Sequence, residues 1–182
     1  MAKKIQRKER LEKFKKIGWF LVKSNLMAIP LYAIILLDLS WVPLQNFLAY
    51  VTFLILKSMN YMVSVDGYSI FTVAGGQINR IDVSWDSTGW KSLYTLAALT
   101  LAVSHPLKKK LEFLAVALPV VFVINIARIV STIAYSISFG FQNFETIHTI
   151  LWREGLIFVV LALWVGWLLR VKYNIRQSHI HI

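Results

Sequence analysis

The sequence predicts an all-α integral membrane protein: a bundle of about four transmembrane helices, one interfacial or re-entrant helix and a small extracytoplasmic β-hairpin. Of its 182 residues, 57% are hydrophobic, and the mean hydropathy is +0.60. Several apolar runs approach the roughly 20 residues that a helix needs to cross a bilayer. The length leaves room for a single membrane domain over residues 1–182.

Positive charge clusters beside the predicted spans. The formal net charge is +11, and most Lys and Arg residues lie in the N-terminal arm, in the loop 108–110 and in the C-terminal tail. Cytoplasmic flanks of membrane helices collect basic residues. The charge therefore indicates topology, with both termini cytoplasmic, and no nucleic-acid partner is expected. The chain contains no Cys, which excludes disulfides and thiolate metal sites.

Three apolar runs precede the basic loop 108–110: residues 18–37, 41–65 and 88–104. Residues 1–16 are predicted to form a basic cytoplasmic arm that is too long and too charged for a signal peptide, so residues 18–37 form a retained span. Because the arm and the loop 108–110 are both expected inside, an even number of the three runs must cross. Residues 41–65 contain Lys57, and a charge at mid-membrane costs about 2.5–3.5 kcal/mol. We therefore predict an interfacial or re-entrant helix over 41–65, with a full span as the alternative.

Residues 66–85 differ in character from the apolar runs on either side. Residues with high β-propensity flank Gly75 and Gly76, and a two-glycine pair between such runs is a turn signal. We predict an external β-hairpin that pairs residues 68–73 with residues 77–83.

Three further spans follow, over residues 88–104, 111–138 and 145–169. They run inward, outward and inward again, and a cytoplasmic tail over residues 173–182 ends the chain. This topology places the starts of the first and third of these spans at the outer membrane face.

The densest polar run, V-S-W-D-S-T-G-W-K-S over residues 83–92, opens the span 88–104. Ser87 is a candidate nucleophile in it, with Asp86 directly before it. The next span carries Asn125 and Arg128, which are three residues apart and therefore share a helix face. Because an Arg side chain does not lose its charge in proteins, it needs an anion, a cluster of acceptors or a water-filled cavity.

The last predicted span opens with Glu145 and His148, again three residues apart. By our count along the helices, Ser87, Arg128 and His148 fall at one depth near the outer face. A nucleophile position, a permanent cation and a titratable base at one level indicate an acyl-transfer site. The His can exchange a proton with the nucleophile or the leaving amine, and the Arg can stabilise an oxyanion.

These residues carry a resemblance to a known family. The run over residues 83–92, then N-I-A-R-I, then a His opening the last span resembles the exosortase/archaeosortase family of membrane transpeptidases, over about residues 66–169. That family has Cys-Thr/Ser-Gly, Asn-x-x-Arg and His, or Arg in some branches, at the outer ends of membrane helices. The candidate catalytic residues are Ser87, Arg128 and His148, supported by Asp86, Asn125 and Glu145; no cofactor and no metal is expected.

The resemblance also implies the partners. In such proteins a Cys attacks a C-terminal sorting signal of a secreted protein, which consists of a short motif, a hydrophobic span and a basic end. The cleaved protein is held as a thioester and passed to a membrane lipid or lipid-linked acceptor. The site is then at the plasma membrane, facing outside.

Position 87 departs from the family pattern because it is Ser. A hydroxyl is a far weaker nucleophile than a thiol at neutral pH. We interpret the chain as a Cys→Ser form made inactive; the alternative is a natural variant that is inactive or uses Ser.

Two other functions fit the same residues. The chain could be an intramembrane serine protease that uses Ser87 and His148. It could also be a non-enzymatic transporter or assembly subunit in which Arg128 is structural, clamped by the carboxylate of Asp86 or Glu154.

Overall fold

The computed structural model describes residues 2–74, 76–140 and 155–171, and within them it consists of helices and one small β-sheet. The predicted site residues Glu145 and His148 and the predicted tail over residues 173–182 lie outside the described residues.

Helix α1 spans Ala2–Leu36, so the predicted arm and first span form one helix. At about 1.5 Å per residue, its 35 residues extend about 53 Å. Its contacts with the rest of the chain include the Tyr94 hydroxyl, which donates to the Met27 carbonyl oxygen at 2.6 Å, and the Trp164 ring, which stacks on Phe20.

Helix α2 spans Val42–Ser58, and the prediction of one helix over residues 41–65 is wrong at its C-terminal end. Asn60 adopts a left-handed φ of 65°, and the chain then enters strand β1, Val63–Asp66, in which half-buried and exposed residues alternate. An unbroken apolar run does not by itself distinguish a helix from a strand.

The sheet has three antiparallel strands in the order β1-β2-β3. Strand β2, Ser69–Ala74, pairs with strand β3, Gln77–Asp82, close to the predicted hairpin of residues 68–73 and 77–83. The third strand, β1, was not predicted. It joins β2 through a tight turn in which Gly67 has a φ of 57°.

A 3-10 helix, Trp85–Thr88, leads from the sheet to helix α3. Helix α3 spans Trp90–Ala102 and is shorter than the predicted span 88–104, because the residues before it form the 3-10 turn. At 13 residues it is about 20 Å long, whereas the hydrocarbon core of a bilayer is about 30 Å thick.

Helix α4 spans Leu107–Phe139, with Pro106 at its N-cap, so it begins before the predicted span 111–138. A last helix, α5, is described over Gly155–Val171. Within the described part of the chain, α4 and the segment Arg10–Leu36 of α1 are long and apolar enough to cross a membrane.

Two apolar clusters share helix α4. One joins α2 and the sheet to the C-terminal half of α4, and includes Leu48, Leu56, Ile70, Val83, Ile129 and Ile133. The other joins α3 and α5 to the N-terminal half, and includes Leu96, Leu114, Val121, Leu156 and Val160. The polar run of residues 83–92 lies where the chain passes from the first cluster to the second.

Candidate functional site

Ser87 lies in the 3-10 helix, and Ser84 fixes its position. Ser84 is the N-cap, and its side-chain oxygen accepts a hydrogen bond from the Ser87 backbone N–H at 3.2 Å. The hydroxyl oxygens of the two serines are 2.8 Å apart. Four residues after the cap, the buried Thr88 hydroxyl donates to the Trp85 carbonyl oxygen at 2.7 Å. Position 87 is therefore held by local hydrogen bonds at both sides.

Gly89 allows the chain to turn from the 3-10 helix into α3. Its φ is +77°, in the left-handed region, which favours glycine. A Cβ at this position would also lie 2.8 Å from Cγ of Asn125, closer than packed atoms approach. Glycine is thus required by the backbone conformation and by the close approach of α4.

Asn125 connects position 87 to the Arg128 side chain. Its side chain is only 1% exposed, and Nδ2 donates to the Ser87 carbonyl oxygen at 3.0 Å. Its Oδ1 accepts from Nη1 of Arg128 at 3.2 Å. Both ends of the amide are therefore used, as expected for a buried polar group.

Ser87 and Arg128 line the same small cavity. Its volume is about 40 Å³, and its wall also includes Asp82 and Thr132. The half-buried Arg128 side chain reaches this cavity from helix α4, while Ser87 reaches it from the 3-10 helix. The space fits a group the size of a carbonyl, so a nucleophile at position 87 and a permanent positive charge can act on one small group.

Two further polar residues fix the chain that enters the site. Buried Gln45 of α2 donates from Nε2 to the Val83 carbonyl oxygen at 3.0 Å. The Asp82 carboxylate accepts from the Ser69 hydroxyl at 2.7 Å and from Nε of Arg80 at 2.8 Å. Both hydrogen bonds lower the pKa of Asp82 below its ordinary value, and the bond from Ser69 has the larger effect. Asp82 therefore stays ionised at neutral pH beside the cavity.

Asp86 faces the surface. Its carboxylate oxygen lies 2.8 Å from Nζ of Lys91, and both side chains are exposed. The rings of Trp85 and Trp90 stack beside this pair, with centroids 5.3 Å apart. Asp86 thus contributes to a surface ion pair next to the site.

The structure brings together three of the predicted site residues, Ser87, Asn125 and Arg128. Glu145 and His148 are not described, and neither is Glu154, one of the carboxylates considered for an Arg128 clamp. No group of three or more His, Asp or Glu suited to a metal ion occurs among residues 2–74, 76–140 and 155–171.

Sequence reasoning missed several residues that shape the site. Ser84 had a usable signal, because a Ser directly before a short helical turn is a common N-cap. Gly89 belongs to the polar run over residues 83–92, but its approach to Asn125 appears only in the fold. Gln45 is 38 residues from Val83 in sequence, so no local pattern could reveal that contact.

Comparisons with known proteins identify the family. A search of curated proteins and a search of solved structures each found no match. The sequence profile of the transmembrane exosortases matches residues 13–168, which is most of the 182-residue chain. The match includes the 3-10 helix, the Asn125–Arg128 pair and the position of His148. The chain therefore belongs to the transmembrane exosortase family.

Proposed function

We propose that this protein is a membrane-embedded transpeptidase that cleaves the C-terminal sorting signal of secreted proteins and transfers them to a lipid-linked acceptor. Membership of the exosortase family supports a sortase-like transpeptidase and secreted proteins with C-terminal sorting signals as partners. The finer assignment, a Cys-Arg-His site at positions 87, 128 and 148, is our proposal.

One observation carries this assignment: position 87 and Arg128 line one carbonyl-sized cavity. Asn125 bonds to both of them, so their separation is set by one buried amide. A preorganised cation beside a nucleophile is the arrangement that stabilises the oxyanion of acyl transfer.

The reaction follows from the roles of three groups. The sulfur of a Cys at position 87 attacks the scissile carbonyl carbon, and its proton passes to His148. The negative charge that develops on the carbonyl oxygen is stabilised by Arg128. As the C–N bond breaks, His148 returns the proton to the leaving amine, and the secreted protein stays on the sulfur as a thioester.

The second half restores the enzyme. A nucleophilic group of the lipid-linked acceptor attacks the thioester carbonyl and gives its proton to His148. The carbon–sulfur bond then breaks, and the thiolate recovers that proton. The secreted protein leaves covalently attached to the acceptor.

We further propose that the chain with Ser87 is inactive. The Ser87 hydroxyl lies 2.8 Å from the Ser84 hydroxyl, and a hydroxyl is a far weaker nucleophile than a thiol at neutral pH. This weak nucleophilicity favours an inactive Ser form over an intramembrane serine protease. It also fits a chain that binds its substrate without turning it over.

The proposed orientation places both termini in the cytoplasm and the site at the outer face of the plasma membrane. A multi-pass protein in this orientation meets the sorting signal of a secreted protein after translocation. The clusters of basic residues beside the spans support it, since they favour the cytoplasmic side.

The experiment that tests this proposal places a Cys at position 87. The Ser87→Cys variant is co-expressed with a reporter that ends in a sorting tail from a secreted protein of the same genome. We expect the reporter to be shortened by the Ser87→Cys variant and not by the chain with Ser87. Adding His148→Ala should abolish the cleavage, because His148 is the proposed acceptor of the thiol proton.

The alternatives predict different outcomes of the same assay. A serine protease cleaves with Ser87 and loses activity in Ser87→Ala. A non-enzymatic subunit leaves the reporter intact with either residue. Absence of cleavage by a folded Ser87→Cys variant contradicts the proposed function.

A further inference from the structure

Strand β3 has an open edge beside the candidate site. It lies at one end of the order β1-β2-β3, and among the described residues it pairs with β2 alone. An edge strand presents unpaired backbone N–H and C=O groups, which can accept another extended chain.

The register shows which backbone groups of β3 point away from β2. The backbone N–H of Val83 donates to the Tyr68 carbonyl oxygen at 2.9 Å, which marks Val83 as facing β2. In an antiparallel pair this pattern repeats at every second residue, so Ile81 and Asn79 also face β2. The backbone groups of Ile78, Arg80 and Asp82 therefore point to the open edge.

The open edge leads directly to the cavity. Asp82, the last of the outward-facing residues, lines the cavity together with Ser87 and Arg128. An extended peptide paired along Ile78 to Asp82 is therefore led to the reacting groups by its own backbone. The spacing between paired strands is about 4.8 Å, which keeps such a peptide close to the cavity.

The side chains on this edge are compatible with a peptide partner. Ile78 is 78% exposed, and the charged pair of Arg80 and Asp82 is also exposed. Charges on an edge discourage pairing between copies of the same protein. They leave the backbone accessible to a peptide whose side chains tolerate them.

We infer that the extended segment of the sorting signal around the scissile bond binds by adding a strand to the open edge of β3. This inference rests on the proposed function, since it names how that substrate reaches the site. Strand addition obtains affinity from backbone hydrogen bonds and specificity from alternate side chains. It also holds the scissile carbonyl in a fixed register relative to position 87.

Disulfide trapping in the chain with Ser87 tests the pairing. The chain has no Cys, so Ile78→Cys introduces a single thiol on the exposed face of the edge strand. The probe is the reporter with its sorting tail, carrying one Cys at each successive position of the short motif and its flanks. Directly opposed residues of paired strands have Cβ atoms about 4.5–5.5 Å apart, near the range that a disulfide needs.

Val73→Cys is the matched control. Val73 pairs with Ile78 on the central strand β2 and is 50% exposed, but it is one strand further from the open edge. We expect Ile78→Cys to trap every second reporter position near one register, and Val73→Cys to trap none of them efficiently. Uniform trapping along the reporter, no trapping at Ile78→Cys, or equal yields at the two sites would overturn the inference.

A backbone variant gives a second readout. In the Ser87→Cys background, Arg80→Pro removes one outward N–H while the bonds between β2 and β3 remain, since Pro is tolerated where an edge N–H faces outward. Arg80→Ala removes the same side chain and keeps the N–H. We expect kcat/KM for the reporter to be about three- to tenfold lower with Pro than with Ala, the effect of one lost hydrogen bond; equal values contradict the pairing.

The two proposals fail separately. Cleavage of the reporter by Ser87→Cys without alternating cross-links removes the strand addition and keeps the transpeptidase. Alternating cross-links without cleavage keep the strand addition and remove the transpeptidase.

Discussion

The chain is attached to helix α4 at both ends of helix α3 by the same kind of contact, a buried α4 side chain that donates to a backbone carbonyl oxygen. The two contacts have different consequences. Just before the N-terminal end, in the 3-10 helix, the Ser87 carbonyl oxygen accepts from Asn125 at 3.0 Å. At the C-terminal end, Nζ of Lys110 donates to the Leu101 carbonyl oxygen at 2.8 Å. Both side chains are buried, at 1% and 7% exposure, and each satisfies a backbone carbonyl.

The difference lies in what else each residue contacts. Asn125 also accepts from Arg128 and lies against Gly89, so it shapes the candidate site. Lys110 uses its hydrogen bond to satisfy a carbonyl in the last turn of α3, next to the apolar cluster around Leu114 and Leu96. One buried contact therefore only joins α3 to α4, whereas the other also bonds to the proposed catalytic cation, Arg128.

The largest expected effect concerns Arg128 itself. In the Ser87→Cys background, Arg128→Ala should lower kcat for reporter cleavage about 100- to 1,000-fold, the usual loss when one oxyanion donor is removed. Arg128→Lys keeps a charge without the planar fork and should recover part of the rate. Cleavage at the parent rate by Arg128→Ala shows that Arg128 is structural.

The comparison between the two ends is tested by Asn125→Ala and Lys110→Met. Asn125→Ala removes two side-chain hydrogen bonds and Lys110→Met removes one, and each lost bond should lower the free energy of unfolding by about 1–3 kcal/mol. Only Asn125→Ala should also reduce kcat per folded molecule, about tenfold or more by our estimate, since it disturbs position 87 and Arg128 together. Thermal unfolding in detergent and reporter cleavage measure the two effects; equal losses of activity contradict the distinction.

Gly89→Ala and Gly76→Ala separate backbone strain from the contact with Asn125. Both glycines have a φ of +77°, so both variants should lose about 1–2 kcal/mol of stability from the left-handed conformation. A Cβ at Gly76 meets nothing within 4 Å, whereas one at Gly89 meets Asn125 at 2.8 Å. Gly89→Ala should therefore lose about 1–3 kcal/mol more and also activity. Equal unfolding temperatures of the two variants would show that helix α4 moves away from the added methyl group without a loss of stability.

The smallest expected effect is a pH dependence from Asp82. Hydrogen bonds from Ser69 and Arg80 lower its folded-state pKa, so its contribution is present above the unfolded pKa of about 3.9 and is lost as pH falls through the folded value. The side chain is 45% exposed, which limits the contribution to less than about 1 kcal/mol. Asp82→Asn should show a smaller fall in unfolding temperature than the parent between about pH 5 and about pH 3. A steeper fall in the variant contradicts the sign.

Sequence reasoning succeeded where chemistry and periodicity agreed. The spacing of Asn125 and Arg128 placed them on one helix face, and the polar run around Ser87 stood out in an apolar chain. An uncompensated charge among apolar helices is costly, so Arg128 was expected to have polar partners or a water-filled cavity. These arguments are local or depend on composition, so they do not need the fold.

Other features could not be predicted from one segment of the sequence at a time. The strand β1 was hidden within an apolar run, although its alternation and the Asp66-Gly67 pair are strand and turn signals. The contact of Gln45 with the Val83 carbonyl and the close approach of Asn125 to Gly89 arise only when α2 and α4 pack beside the site.

Intact-mass spectrometry of the Ser87→Cys variant with the reporter tests the central claim most directly. We predict a covalent adduct with the mass of the shortened reporter on residue 87, released by hydroxylamine as a thioester is. Arg128→Ala should reduce its rate of formation, while Lys110→Met should not. A folded Ser87→Cys variant that binds the reporter and forms no adduct would contradict the account.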